Sequence, residues 1–183
     1  MIRNTKKILS EEFIKLAKNR TFDTIMIKEI TENCGAGRQT FYNHFEDKIN
    51  LVKYINNSFK KQFIKLDDQL ESISLKALLE KVLQMLQANK HYFLSGIKFP
   101  ETINTQSLLK EIFNEYFEIN APQKNDSEYG FLSEYTTNSL ASIFIVRLKS
   151  NDHSNKEFLT IETCEDEDFI SYLIKSVPPR LKY

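Results

Sequence analysis

The chain has 183 residues, 41% hydrophobic and 27% charged, which suffices for one sizeable core or for a small domain fused to a larger one. Its longest apolar run, Leu140 to Val146, is too short to span a bilayer, which argues against a membrane protein and predicts a soluble cytoplasmic one. The only two cysteines, Cys34 and Cys164, have no metal-ligand spacing, which argues against a disulfide scaffold or a zinc ribbon. The 25 basic and 25 acidic residues cancel, but residues 1–61 hold 12 basic against 7 acidic residues and residues 62–183 hold 13 against 18, which favours a polyanion as partner of the first third.

Apolar residues recur at helical spacing along nearly the whole chain. Leu9 and Phe13 follow this spacing near the start, and Leu51, Ile55 and Phe59 follow it further on. No run of period-two alternation bounded by turn residues interrupts them. Turn-forming stretches cut the chain into about nine segments, three short ones before residue 46 and about six longer ones after it. The pattern predicts an all-α fold.

A pair of short helices around a glycine turn is predicted in the first third. Gly35 can take the left-handed conformation that ends a helix, and a second helix follows Gly37. The turn of about 100° per residue places Phe41 and Phe45 on one side of this second helix and its polar residues on the other. A polar outer face on the second of two short helices is the arrangement that lets a helix enter the major groove of DNA.

The polar residues of the second helix have the side chains that DNA recognition uses. An arginine pairs with phosphate or with a guanine edge, the amides of Gln39 and Asn43 can donate and accept at an adenine edge, and a threonine offers a hydroxyl or a methyl group. Tyrosine, histidine and a lysine at the next helix start suit phosphates. The alternative is a solvated helix face with a chance polar mixture, or a tyrosine and a histidine that pack structurally against a neighbouring helix. The candidate DNA-contacting residues are Arg38, Gln39, Thr40, Tyr42, Asn43, His44 and Lys48.

The segment "FDTIMIKEITENCGAGRQTFYNHFEDKINLV", Phe22 to Val52, resembles the DNA-binding domain of the TetR family of bacterial transcription regulators. The likeness consists of a short helix, a glycine turn, an Arg-x-Thr-aromatic-Tyr-x-His-Phe helix and a lysine opening the next helix, and it extends back to about Thr5. The Arg-Gln-Thr-Phe-Tyr order and the short segments after Pro122 are more similar to the branch that includes dihydroxyacetone-kinase regulators than to drug-efflux repressors. Two positions depart from the family pattern. Met26 stands where Ser or Thr usually precedes the second helix, and Gly37 where Ser or Asn often precedes the third.

The resemblance implies a homodimer of all-helical subunits on double-stranded, pseudo-palindromic DNA. Residues 1–48 would form a three-helix helix-turn-helix domain, and residues 49–183 would form a larger domain for dimerisation and effector binding. The seven candidate residues match positions that commonly face DNA in this family. The helix from Lys48 to about Leu66 would join the two domains and act as a lever. The effector would be a small molecule or a co-regulator protein, and no cofactor is expected.

The C-terminal part is rich in aromatic residues. They would line a cavity for an apolar or aromatic effector, or form an ordinary core. His91, His153 and Cys164 are metal-ligand types, but they lie far apart without ligand spacing, so no metal site is expected. The aromatic residues in question are Tyr92, Phe93, Phe99, Phe113, Tyr116, Phe117, Phe131, Tyr135 and Phe144.

Two late segments are predicted to be helices that pair across a twofold axis. In the family the last two helices of each subunit form a four-helix bundle. The alternative is that both helices only close the core of their own subunit. The first segment offers Leu140, Ile143, Phe144 and Arg147 at helical spacing, and the second offers Phe169, Tyr172, Leu173 and Ile174.

Different sequence features distinguish three classes of function. The sequence contains no Ser-His-Asp motif, phosphate loop or HExxH motif, so an enzyme is not predicted and no catalytic residue is assigned. A DNA-binding regulator is the leading hypothesis. The alternative is a helical co-regulator that acts through a protein partner with little DNA binding of its own. Salt-dependent retardation of DNA by the purified protein alone would separate the two.

Overall fold

The computed structural model describes residues 4–64, 73–98, 103–120, 127–150 and 165–181. Within these ranges the chain forms nine α-helices, two short 3-10 turns and no strand, which confirms the predicted all-α fold. The 3-10 turns are η1 (Phe22–Thr24) and η2 (Pro179–Leu181). None of the described helices is long and apolar enough to cross a membrane. The helices are α1 (Thr5–Leu16), α2 (Ile27–Asn33), α3 (Arg38–Tyr42), α4 (Lys48–Ile64), α5 (Leu75–Ala88), α6 (Lys90–Lys98), α7 (Thr105–Ile119), α8 (Ser127–Ser150) and α9 (Asp166–Ser176).

The chain divides into two compact units. The first unit comprises Met1–Phe59 and Asn89–Thr105, and the second comprises Lys60–Ala88 and Gln106–Tyr183. The first unit therefore holds α1, α2, α3, most of α4 and the whole of α6. The functional boundary predicted after residue 48 concerns which residues contact DNA or an effector, and it stays a prediction.

The core of the first unit draws on each of its first four helices. Leu9 and Phe13 of α1, Ile30 of α2, Phe41 of α3 and Leu51 of α4 are fully buried. Burying one such side chain contributes about 1.5–3 kcal/mol relative to leaving it in water. Because α3 has only five residues, this burial, rather than helix propensity, holds it in place.

Helix α6 completes the first unit although it is distant in sequence from α1 to α3. The Tyr92 hydroxyl donates to the Asn56 side-chain oxygen (2.8 Å), and the Asn56 amide nitrogen donates to the Ile103 carbonyl (2.6 Å). The Tyr92 ring lies 6.4 Å from that of Phe13 and 5.8 Å from that of Phe59, measured between ring centroids. Burial raises the pKa of Tyr92, so the hydroxyl keeps its proton and remains a donor.

A close approach of chain segments explains Gly96 within α6. A Cβ atom at this position would lie 2.4 Å from Thr105 Oγ1 and 2.6 Å from Ile103 Cγ2. The Thr105 hydroxyl is itself held by donating to the Phe93 carbonyl at 2.7 Å. A residue with any side chain at position 96 would therefore displace a hydrogen-bonded group.

Aromatic rings link the helices of the second unit. The Phe144 ring of α8 lies 5.8 Å from that of Phe113 in α7 and 5.5 Å from that of Phe169 in α9. Arg147 is almost fully buried, places its guanidinium 5.1 Å from the centre of the Phe169 ring and pairs with Asp166 at 2.9 Å. The charge of Arg147 is thus matched inside the unit.

Most of the residues predicted for a subunit interface belong instead to the core of the second unit. Leu140, Phe144 and Arg147 of α8 are buried, as are Phe169 and Leu173 of α9. The exposed surface of these helices carries other residues. Large exposed apolar side chains are Phe131, Tyr135 and Val146 of α8 and Tyr172 of α9.

The aromatic residues of the C-terminal part also divide into two groups. Phe131 and Tyr135 are 69% and 64% exposed, so they line neither a core nor a closed cavity. Phe99, His153, Cys164 and Leu66 lie outside the described residues. The buried members of the group are Tyr92, Phe93, Phe113, Tyr116, Phe117 and Phe144.

Candidate nucleic-acid interface

Helix α3 has the two-sided character that the sequence predicts. Phe41 is fully buried and Phe45 is 5% exposed, with their ring centroids 5.6 Å apart. Thr40 and His44 are half-buried. The α-helix ends at Tyr42, about one turn earlier than the spacing of Phe41 and Phe45 suggests. Asn43 is its C-cap residue. The exposed members of the candidate set are Arg38, Gln39, Tyr42 and Asn43.

The turn between α2 and α3 is set by Gly35. This residue has φ of +66°, the left-handed conformation that L side chains rarely adopt. The Ala36 nitrogen donates to the Thr31 carbonyl (2.8 Å) and the Gly35 nitrogen donates to the Glu32 carbonyl (2.9 Å), which is the bonding pattern of a Schellman cap. Gly37 is extended, with φ −91° and ψ 165°, and α3 begins directly after it. The direction of α3 is therefore fixed by local backbone geometry.

The start of α2 at Met26 is stabilised by a residue that the sequence analysis did not single out. Met26 precedes α2 and makes no side-chain cap, but its backbone nitrogen donates to a Glu29 carboxylate oxygen at 2.9 Å. Glu29 also pairs with Arg20 at 2.5 Å, and Arg20 donates to the Thr24 carbonyl. The hydrogen bond from Arg20 lowers the pKa of Glu29, with a further contribution from the Met26 backbone. The spacing of Glu29 three residues after the cap position could have revealed half of a capping box.

Lys48 lies at the start of α4 as predicted, but its ammonium group is held within the protein. Its Nζ donates to the Phe22 carbonyl (2.9 Å) and to the Ile25 carbonyl (2.8 Å), and it lies 4.5 Å from the centre of the Phe22 ring. Burial lowers the pKa of Lys48, and the carboxylate of Asp23 opposes that shift. Lys48 thus ties η1 and the residue that follows it to α4.

A shallow groove of about 240 Å³ connects several of the candidate residues. Arg38, Tyr42 and Lys48 border it together with Lys28 and Met26. The cationic side chains of Arg38, Lys28 and Lys48 give this groove a positive character. The carboxylate of Asp23 in the groove opposes it, and Lys28 also pairs with Glu32 at 3.6 Å. A groove of this charge suits one phosphate group of a polyanion.

Gln39 and Asn43 contact each other on the exposed side of α3. The Gln39 Nε2 donates to Asn43 Oδ1 at 3.1 Å, and the Asn43 backbone nitrogen donates to the Gln39 carbonyl at 3.0 Å. Tyr42 packs its ring edge against Phe41, with centroids 5.6 Å apart. The structure therefore brings the predicted base-reading residues together, and it brings Arg38, Tyr42 and Lys48 together at the groove.

A solved structure described as the dihydroxyacetone kinase operon activator DhaS has the same fold. The TM-score is 0.72, the sequence identity is 18%, and the match covers 98% of this chain and 97% of that chain. No protein-family model matches the chain, and no curated protein is significantly similar to it in sequence. The likeness establishes an N-terminal helix-turn-helix followed by a larger helical part.

Proposed function

We propose that the protein is a TetR-like DNA-binding transcription regulator that inserts α3 into the major groove of double-stranded DNA. One observation carries the proposal: polar side chains are exposed on the outer side of α3, while Phe41 on its inner side is fully buried. A short helix held this firmly by its core can present side chains to base edges without moving. The fold shared with an operon activator supports a role in regulation.

Base reading is assigned to the amides and to Arg38. Gln39 and Asn43 lie one helical turn apart on the exposed side, and an amide can both donate to and accept from an adenine edge. Arg38 lies at the first position of α3, where it can reach a guanine edge or a phosphate. Thr40 is half-buried, so its hydroxyl or methyl group contributes a smaller contact.

Phosphate contacts are assigned to Tyr42, His44 and Lys48. Tyr42 is exposed and borders the positive groove. His44 follows α3 and is half-buried. An ammonium group has three N–H donors, and two of those of Lys48 are used by carbonyls, so one remains for a phosphate oxygen. These contacts would orient the protein on DNA without selecting a sequence.

The test is a retardation assay with DNA selected by the wild-type protein from a randomised pool. We expect Gln39→Ala or Asn43→Ala to weaken binding to the selected DNA by about 1–3 kcal/mol while binding to random DNA changes little. The matched control is Asn57→Ala, because Asn57 is exposed on α4 outside the proposed interface. Equal losses on both DNAs would refute base reading, and no selection of any sequence by the wild type would refute the regulator itself.

We also propose that two copies of the chain associate through the exposed face of α8, together with α9. Between Glu134 and Arg147 the sequence of α8 contains no charged residue, although Tyr135 and Val146 are exposed there. A surface helix normally carries charges on its solvent side, so a helix that is uncharged all round over three turns indicates a covered face. A second copy fits best, because the twofold axis of a homodimer would bring this uncharged face onto itself and would present two α3 helices to two half-sites.

The oligomeric state tests this second proposal. We expect wild-type protein to sediment at twice the chain mass of 21.5 kDa and the double variant Tyr135→Glu, Val146→Glu to sediment as a monomer that binds the selected DNA more weakly. The control is the double variant Gln84→Glu, Gln106→Glu, because both residues are exposed, on α5 and α7, and the variant adds the same two negative charges elsewhere. A wild-type monomer that binds a single half-site would overturn the proposal.

We further propose that residues 1–48 contact DNA and that residues 49–183 serve for dimerisation and effector binding. In the second unit the hydroxyls of Thr136 and Thr137 are buried and have no hydrogen-bond partner within the described residues. Such hydroxyls favour a small molecule with hydrogen-bonding groups as the effector.

The second candidate function is a co-regulator that works through a protein partner. The exposed rings of Phe131 and Tyr135, one turn apart on α8, favour it. Retardation of the selected DNA by the purified protein alone would decide against it. Retardation that needs an added partner protein would decide for it.

A further inference from the structure

We infer that Gln39 and Asn43 read DNA as one coupled unit that prefers an A·T pair over a G·C pair. The inference rests on the proposed DNA-binding function and extends it from single contacts to a joint one. Its basis is the direct hydrogen bond from Gln39 Nε2 to Asn43 Oδ1 at 3.1 Å, between two exposed side chains on the outer side of α3. Within the described part of the chain, neither side chain hydrogen-bonds with any other residue, so their first partner is each other.

The backbone supports the same pairing. Asn43 follows the last residue of α3, and its backbone nitrogen donates to the Gln39 carbonyl at 3.0 Å, so two hydrogen bonds join the same two residues. The buried rings of Phe41 and Phe45 anchor the chain between and after them. Asn43 therefore keeps a helical conformation (φ −69°, ψ −16°) beyond the end of the helix, which holds its side chain over Gln39.

The hydrogen bond determines which groups remain for a base. An amide pair joined in this way leaves the oxygen of one amide and the NH₂ group of the other available for further partners. This holds for either orientation of the two amides, because reversing both exchanges their roles without changing what the pair presents. The pair thus offers one acceptor beside a donor group.

That arrangement matches one base edge better than the other. In the major groove adenine presents the N7 acceptor beside the N6 donor, so it can satisfy both the donor and the acceptor of the pair. Guanine presents two acceptors, N7 and O6, so a pair that contacts guanine alone leaves the free amide oxygen facing another oxygen. The donor of a G·C pair is the N4 group of cytosine, on the other base, so one base cannot satisfy both groups of the pair. An unmatched acceptor at a dehydrated interface is costly, which gives the preference for A·T its physical origin.

The experiment is a double-mutant cycle in the full-length protein. Wild type, Gln39→Ala, Asn43→Ala and the double variant are each tested against DNA selected by the wild type from a randomised double-stranded pool. The same oligonucleotide is also made with each base pair of the half-site changed in turn. The swapped variant Gln39→Asn, Asn43→Gln keeps one amide at each position and tests rescue. Gln39→Ala combined with Asn57→Ala is the matched uncoupled pair, because Asn57 is exposed on α4.

We expect both single variants to lose about 5- to 150-fold in affinity and to lose preference at the same A·T pair. The double variant should lose no more than about the larger single loss, because breaking either side chain already breaks the unit. The swapped variant should recover part of the preference, and the Asn57 combination should give the product of its single effects. Single losses that multiply, or that relax different base pairs, would overturn the coupling while leaving DNA binding intact. A wild type that selects no sequence would instead overturn the proposed function.

Discussion

Lys48 offers the sharpest test of how the DNA-binding unit is held together, because the structure assigns to it contacts that the sequence did not predict. The change is Lys48→Met, which keeps most of the unbranched side chain beside the Phe22 ring and removes the ammonium group. Two hydrogen bonds are then lost, to the carbonyls of Phe22 and Ile25. The carbonyls that lose this donor belong to residues with 7% and 0% exposure, respectively.

The magnitude follows from the kind of bond and from its exposure. A hydrogen bond to a charged group contributes about 1.5–3 kcal/mol, so two such bonds set an upper limit of about 6 kcal/mol. Lys48 is only half-buried, and water screens its charge and can replace part of what is lost. We therefore expect the free energy of unfolding to fall by about 1–3 kcal/mol.

The assay has two readouts on the same purified variant. Urea unfolding without DNA measures the loss of the carbonyl contacts, and retardation at several salt concentrations measures the phosphate contact. We expect the slope of log affinity against log salt to fall by about one unit, because the third N–H of the ammonium group is free for a phosphate. Lys53→Met, an exposed lysine of the same helix, is the control for the loss of one positive charge.

Each readout can refute one part of the reasoning. An unchanged free energy of unfolding would show that the carbonyl contacts of Lys48 contribute nothing. An unchanged salt slope would show that Lys48 neutralises no phosphate and serves only to hold η1 against α4.

Three further predictions concern the same unit and its surroundings. Gly96→Ala should lower the free energy of unfolding, measured in urea, by about 1–3 kcal/mol, because the new Cβ would overlap the hydrogen-bonded side chain of Thr105. The control is Gly130→Ala on α8, where a Cβ meets nothing within 4 Å, so this change should be neutral or stabilising by up to about 1 kcal/mol. Equal effects of the two changes would refute the close approach at Gly96. The hydrogen bond from Arg20 lowers the pKa of Glu29 in the folded protein, so the ionised carboxylate stabilises the fold above about pH 4.3, and this stabilisation is lost as the pH falls through the lowered pKa. Glu29→Gln should therefore make the free energy of unfolding less dependent on pH in acid. The same dependence on acid pH in the variant and the wild type would contradict this. A fragment of residues 1–70 lacks the α6 side chains that contact α1 and α4. It should therefore fail to bind the selected DNA, and its circular dichroism should show no cooperative unfolding transition. Tight binding of the selected DNA by the fragment would refute this.

The sequence predicted those features of the site that depend on local spacing. Phe41 and Phe45 are four residues apart, so helical periodicity alone places them on one side, and both are buried. Gly35 was expected in the left-handed conformation because it follows a short helical pattern, and its φ is +66°. The periodicity did not show that α3 ends at Tyr42, because Asn43 keeps helical angles beyond the end of the helix.

The remaining features depend on contacts between distant parts of the chain. Lys48 reaches carbonyls 26 and 23 residues earlier, and no local pattern around position 48 distinguishes a lysine that donates to carbonyls from one that faces phosphate. Tyr92 bonds to Asn56 across 36 residues, so the membership of α6 in the first unit has no local signature either. Periodicity shows that a residue is buried, but it does not show which helix buries it.

The contact at Gly96 has a consequence for the comparison of distant relatives. The space that a side chain at Gly96 would need is filled by Ile103 and Thr105, seven and nine residues later, so the side chains at these three positions limit one another in size. A relative with alanine or serine at the position of Gly96 would need smaller side chains at the other two positions, or a longer connection between α6 and α7. At 18% identity, few of the matched positions carry the same residue. A compensating change among these three positions would therefore be a more informative sign of common structure than a count of identical residues.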